Sequence, residues 1–497
     1  MPKKSIYLLL FSSFLFLITQ SLSAQSAEDV LRYSLEYPSY DPQSMIMPGA
    51  SHNAGFGSFQ ENPAVMALFE RSFGSFSASL RNVNEESTFN NDTFSFDDSQ
   101  SGVGDFGLVY NIPTLRGSMV VGGGYSQTTD FNRALGINTR NNRSSLTEFY
   151  NITADDALYD AAFNVYALDY ADVDSTFTSS IFRIGFGRDD WPGVQQNMEL
   201  TERGKMGEYS AFFATEFQQN LFVGASIGVM TGDYRYERQF LESDPDNIYN
   251  GSLIDSDSDG TGDTDIDRVL SVDTINSEFT AFSARIGFLY QVEEFLRLGA
   301  GYEFPSTLSF NEDFNTRLST TFDNGPGFEE ELPGEFSYKI KRPGRFNLGA
   351  SIHDLNGVSL SAGAEFVDYG VAELDLEGVD LAFQQAENDF IQDTFKNVIN
   401  LKAGLEYRVN DSFTPRIGYA WYPSPRNNAD VDRQFYNAGF TASFAENVWF
   451  DLGVQYATWE DQNQLYTFDT GTAIVPEVVN EDVKRLHLMA GIRIAFY

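Results

Sequence analysis

The strongest chemical motif in this chain is a run of aspartates at alternate positions. Asp255, Asp257 and Asp259 are two apart, Gly260 follows, and Thr261, Asp263 and Asp265 continue the run. Carboxylates at positions 1, 3 and 5, a glycine at 6 and an acid at 9 reproduce the first part of an EF-hand calcium loop. In such a loop hard oxygens converge on the ion while the glycine permits the sharp turn. Ile266 stands at position 12, where the bidentate glutamate belongs, so Asp265 or Asp267 would have to substitute. One weakly held, structural Ca2+ in an outward-facing loop is therefore expected, with a flexible acidic loop tip as the alternative. No other cofactor is called for.

Two patterns that often mark enzymes lead elsewhere. Gly224-Ala225-Ser226-Ile227-Gly228 matches the hydrolase elbow, which needs a sharp strand-to-helix turn. Here Leu221, Val223, Ala225, Ile227 and Val229 carry a strand-like alternation straight through it. Gly102 to Gly107 matches a dinucleotide-binding pattern but lies inside a strand, without the helix that pattern requires. The histidines are His52, His353 and His487, at no spacing that would serve Ser226, and cysteine is absent. No enzyme activity is expected.

The remaining candidates are Arg285, Arg297, Arg416, Trp449 and Arg493, which share a parity opposite to the oily face of their strands. Phe212 and Trp459 share that inward parity. The arginines could meet an anionic ligand head or pair with Asp105, Glu216, Glu303 and Asp451, and the aromatic rings could line a pocket for apolar ligands or fill space.

The elements that position them are strands. From His487 onward, Leu488, Ala490, Ile492, Ile494 and Phe496 fall on one face while Arg493 falls on the other. Arg297 and Glu303 oppose Leu296, Leu298, Ala300 and Tyr302; Lys402 and Glu406 oppose Leu401, Ala403 and Leu405. A charge facing mid-bilayer lipid costs about 2–4 kcal/mol for Arg or Lys, and the oily parity carries none in these runs. This pattern predicts an all-β fold, a transmembrane antiparallel barrel.

Turn-like breaks near 113–116, 219–220, 292–294, 354–357, 410–411 and 446–447 alternate with seven long polar connections, at 83–101, 129–207, 238–274, 305–334, 370–396, 422–433 and 460–484. They join about fourteen strands, with short turns and both barrel ends on the periplasmic side. The segment 178–188 also alternates but would make the count odd, so it is placed inside a loop. Lys3 and Lys4, the apolar run 6–18 and Ser21 to Ala24 read as an export leader over 1–24, too short for a spanning helix.

A formal net charge of -39 repels phosphates, so no nucleic-acid partner is expected. A monomer in the bacterial outer membrane is expected, contacting outer-membrane lipid and lipopolysaccharide.

Between leader and first strand lies a long segment with Met47-Pro-Gly-Ala50, Gly55-Phe-Gly57 and Glu61-Asn62-Pro63-Ala64. An Asn-Pro-Ala element in this position resembles the hatch of the FadL/OmpP1/TodX family of outer-membrane hydrophobic-compound transporters. Tyr110 to Thr114, Arg116 to Ser118 and Thr129 to Arg133 look like the second-turn region of its Bacteroidetes-like branch. The resemblance implies an N-terminal hatch over residues 25–71, carrying Asn62, Pro63 and Ala64, inside a barrel over 72–497. It implies passive uptake of long-chain fatty acids or other hydrophobic small molecules, released sideways through a gap in the wall. A barrel-anchored surface adhesin with calcium-ordered acidic loops is the alternative.

Overall fold

Lipid offers backbone groups no hydrogen-bond partners, so a spanning sheet has to close on itself. The computed structural model describes residues 27–496, apart from 172–173, 175, 251–253, 256–261, 263, 325 and 430. The expected leader lies outside the described residues.

The wall has fourteen strands in chain order. They are β1 (Ser72–Phe89), β2 (Asp92–Asn111), β3 (Met119–Asp130, resuming over Arg133–Asn141), β4 (Val194–Gln218), β5 (Leu221–Ser243), β6 (Ile266–Glu293) and β7 (Leu296–Glu303, resuming over Ser306–Phe322). There follow β8 (Phe328–Arg342, resuming over Arg345–Leu355), β9 (Val358–Asp368, resuming over Glu373–Leu376), β10 (Asn397–Tyr407), β11 (Phe413–Tyr422), β12 (Arg433–Ala445), β13 (Val448–Asp469) and β14 (Ile474–Phe496). Each pairs antiparallel with the next, and β14 returns to β1 with Ser72 opposite Phe496. Pro305 and Pro343, which lack an N–H to donate, sit at the breaks in β7 and β8.

Charge parity holds throughout the runs on which it was predicted. Phe282, Ile286, Phe288, Leu298 and Ile417 face outward, whereas Arg285, Arg297, Arg416 and Asp451 are buried. The six predicted short turns are all present at one end. Three of the seven expected long loops are not loops. The strands run on through 83–101, where β1 and β2 meet in a hairpin tipped by Asn90 and Asn91, and also through most of 305–334 and 460–484. Their polar residues lie beyond the bilayer with water outside, so polarity there does not signal a break. Residues 178–188 stay out of the wall, as expected: Thr178–Ser180 pairs with Leu168–Tyr170 in a separate two-stranded sheet, followed by a turn of 3-10 helix. That sheet belongs to an extracellular cap whose core includes Phe89, Tyr150, Phe182, Phe240 and Tyr249.

The N-terminal segment fills the barrel. Nearly every residue from Tyr40 to Ala67 is buried. A helix over 27–34 lies further in, its Tyr33 ring 5.3 Å from Phe131, 5.2 Å from Phe279 and 4.6 Å from Phe310.

A candidate substrate path through the wall

Asn62 shows why the hatch sits where it does. It caps the short 3-10 helix Pro63–Leu68, accepting from the Ala64 N–H at 3.0 Å, and proline at the first position loses no hydrogen bond there. Its Nδ2 donates outward to the carbonyls of Ala50 (2.7 Å) and Phe288 (2.9 Å), so one fully buried side chain joins two stretches of hatch to β6. Such closeness requires glycine on the wall. A Cβ on Gly287 would fall 1.9 Å from Asn62 Oδ1, one on Gly299 1.8 Å from the Ala50 carbonyl, and one on Gly301 1.9 Å from the Glu61 carbonyl.

The predicted inward cations lie inside the barrel, mostly spoken for. Arg285 bonds Glu208 (2.8 Å) and Glu303 (3.0 Å). Arg416 donates to Glu406 and to Thr441, both at 2.6 Å. Arg493 bonds Asp451 at 3.0 Å and lies 5.8 Å over the Trp449 ring. Thr441 and Asp451 also receive the amide of hatch residue Gln43, so this group grips the plug. Asp105 and Glu216 take other donors: Ser75 and Ser77 bond Asp105, and the Asn220 N–H bonds Glu216. Arg297 is buried with its Nε and Nη1 hydrogens unpartnered. Phe212 stacks on Phe59 of the hatch at 5.3 Å and so fills space around the plug. Ser226 points inward, as expected of a strand residue. Of the aspartate run, Asp257, Asp259, Thr261 and Asp263 lie outside the described residues. Asp265 is buried, with its carboxyl raised by burial and then by Asp323, and Asp255 lies beside the Ile254–Thr264 bridge.

The wall is interrupted between β2 and β3. The β2–β3 ladder runs only from Asp105–Ser126 to Asn111–Val120, although β2 pairs with β1 along its whole length. Beyond Asp130 the chain breaks at Phe131 and Asn132, and Phe131 turns inward against Tyr33. Opposite this break Gly204 adopts φ 134°, and its carbonyl accepts the Phe131 N–H. Such a φ suits glycine alone. Higher up β3 meets the β1–β2 hairpin again, where Ser87 of β1 bonds the Gly136 carbonyl and Thr139 bonds Asp92 of β2. A window is left between, crossed by the Gln100–Asn132 contact at 3.4 Å and the Arg203–Asp98 pair at 2.7 Å.

Behind the window lies a group that sequence reading missed. A cleft of about 460 Å³ opens there, with Arg81, Gln100, Ser101, Arg203 and Lys205 in its wall. Arg81 and Arg485 are both buried and share one carboxylate, Asp130, within 4 Å among the described residues. Nε and Nη1 of each arginine, and Nε2 of buried His487, have no hydrogen-bond partner. Tyr37 lies 4.1 Å from the Arg485 guanidinium and Tyr40 lies 5.8 Å from that of Arg81. Arg433, between Tyr37 and Trp459, adds a third guanidinium. Inward parity was the available signal for Arg81 and Arg485. Nothing in the sequence showed that Asp130 would be their shared partner.

A sequence model of outer membrane transport proteins, described as OMPP1/FadL/TodX, matches residues 214–490, more than half of the chain. The chain belongs to this family. Among solved structures, the toluene transporter TodX of P. putida superposes with a TM-score of 0.55 at 13% identity, covering 93% of this chain and 99% of that one. A Pseudomonas aeruginosa FadL homologue gives 0.54 at 13% identity, over 93% and 98%. The Ralstonia pickettii toluene transporter TbuX gives 0.53 at 15%, over 93% and 99%. At such identities these structures establish a common fold. No curated protein matches the chain.

As a member of the OMPP1/FadL/TodX family the protein is an outer-membrane transporter of hydrophobic compounds. The fold agrees: fourteen strands, a plug seated on wall glycines, and a side window between β2 and β3.

Proposed function

We propose that the protein passively takes up long-chain fatty acids, or other amphiphiles with one anionic head, and releases them sideways through the window between β2 and β3. The observation that carries this reading is the buried surplus of positive charge at Arg81 and Arg485, whose Nε and Nη1 hydrogens are left without hydrogen-bond acceptors. A buried donor left unmade costs about 1–3 kcal/mol, more for a charged group, and an arriving carboxylate would recover it. The surrounding Tyr37, Tyr40 and Trp459 rings suit the first methylenes of a chain. A wholly apolar compound would gain nothing from the arginines.

The test compares oleate with methyl oleate, which has the same chain and no charge, binding to the purified full-length protein. Arg81→Gln with Arg485→Gln should weaken oleate at least tenfold and leave methyl oleate within about twofold, since hydrogen bonds to charged groups contribute about 1.5–3 kcal/mol. Equal affinity for the two ligands in the unaltered protein would refute a carboxylate site.

A further inference from the structure

The outer face of the wall beside the window carries a cluster of cations on a chain whose formal net charge is -39. On β4, the outward-facing residues rise from Phe217, Phe213 and Tyr209 to Lys205 and Arg203. On β5 they rise from Ile227 and Val229 through Thr231 and Asp233 to Arg235. Oily side chains thus give way to cations within a few residues, just above a cluster of rings. Phe106 lies 5.7 Å from Tyr125, and Tyr125 lies 5.1 Å from Tyr209. Aromatic girdles mark the bilayer interface, so Lys205, Arg203 and Arg235 stand at the level of the lipid head groups.

The pairing of these cations is incomplete. Arg203 and Arg235 are directly opposite on neighbouring strands, an arrangement that destabilises a sheet unless an anion intervenes. Asp98 takes up Arg203 from across the window. Asp233 is opposite Lys205 in register, and Glu237 and Glu278 line the neighbouring clefts. Even so, no carboxylate comes within 4 Å of the charged nitrogens of Lys205 or Arg235 among the described residues. Two adjoining clefts, of about 460 and 510 Å³, hold both cations and the ring cluster.

We propose that these clefts form a binding site for a phosphorylated lipid of the outer leaflet. Its phosphate sits between Lys205, Arg203 and Arg235, and an acyl chain lies over Phe106, Tyr125 and Tyr209. Guanidinium groups match phosphate oxygens in pairs, and two arginines with one lysine suit a doubly charged phosphate better than a single carboxylate. The cations and the rings face the bilayer, while the smaller cleft reaches Arg81 and Gln100 through the window, so oleate is the control that separates this site from the substrate site proposed above. A lipid seated here lines the outer rim of the window through which cargo leaves.

The experiment uses the full-length protein in mild detergent and native mass spectrometry with three probes: diphosphoryl lipid A, its dephosphorylated form and oleate. Diphosphoryl lipid A should bind at least tenfold more tightly than the dephosphorylated form. Lys205→Gln with Arg235→Gln should remove that preference, and Lys205→Arg with Arg235→Lys should retain it. Neither pair disturbs an ion pair in the structure. Equal binding of the two lipid A forms, or a preference that survives the Gln pair, overturns the proposal. So does a loss of oleate binding as large as the loss of lipid A binding, because the clefts would then hold any anionic amphiphile.

Discussion

Replacing Asn62 should loosen the plug while leaving the barrel standing. Asn62→Ala removes the cap on Ala64, about 1 kcal/mol, and two buried hydrogen bonds to the carbonyls of Ala50 and Phe288, about 1 kcal/mol each. The sum, about 3 kcal/mol, raises the open fraction of this part of the hatch on the order of a hundredfold. Asn62→Asp should be worse than Ala at neutral pH. It can still cap Ala64, but it points carboxylate oxygens at two carbonyl oxygens that now face an amide. The wall keeps its own ladder, so the effect is local. Hydrogen exchange read by mass spectrometry should show faster exchange in peptides covering 45–68 and little change in β6 and β7. Bilayer conductance should rise in parallel. Unchanged exchange in 45–68, or equal acceleration throughout the wall, would refute the idea that Asn62 seats the plug.

Neighbouring residues on β6 should respond to opposite rules. Arg285→Met leaves Glu208 and Glu303 buried without their partner and should cost about 3–5 kcal/mol in denaturant titrations; adding Glu208→Gln and Glu303→Gln should recover most of it. Ile286→Arg, one residue on, places a charge in lipid and should cost about 2–4 kcal/mol for folding into phospholipid vesicles. Burial in the hatch pushes the His52 imidazole down from its ordinary 6.5 to about 4, with Glu406 opposing the shift and His353, Arg416 and Arg297 adding to it. The folded protein therefore holds this proton less tightly than the unfolded chain. Stability should be at its full value above pH 6.5 and fall as pH drops toward 4, and His52→Gln should flatten that slope in thermal scans at a fixed rate. For the aspartate run, chelation should lower the melting temperature if the loop holds calcium and leave it unchanged if it is only an acidic tip.

The fourteen strands were legible because lipid imposes a rule that every spanning residue obeys. Leu298 and Arg297 had to face opposite ways, and a turn such as Asn220 had to separate one run from the next. Above the membrane the rule lapses. Ser95, Asp97 and Ser99 on β2 meet water, so a strand there reads like a loop. The hatch motif was legible from its place ahead of β1. Its seat was not, because Gly287, Gly299 and Gly301 look like ordinary small residues until the hatch backbone is set against them. The window was hidden for a similar reason: Gly204 and Phe131 acquire meaning only when β3 is seen to leave β2. Arg81 and Arg485 could be placed inside by parity, but the shortage of carboxylates around them depends on which strands the barrel brings together.

Sideways release through the window can be tested by locking it. The chain has no cysteine, so Gln100→Cys with Asn132→Cys introduces a single thiol pair at a contact that crosses the opening. Uptake of radiolabelled oleate by cells carrying this variant should stop when a short, reducible bis-methanethiosulfonate reagent bridges the two thiols and return on reduction, while either single cysteine variant is unaffected by the same treatment. Bridged protein that is fully cross-linked on a gel and still imports oleate at the unbridged rate would contradict lateral exit.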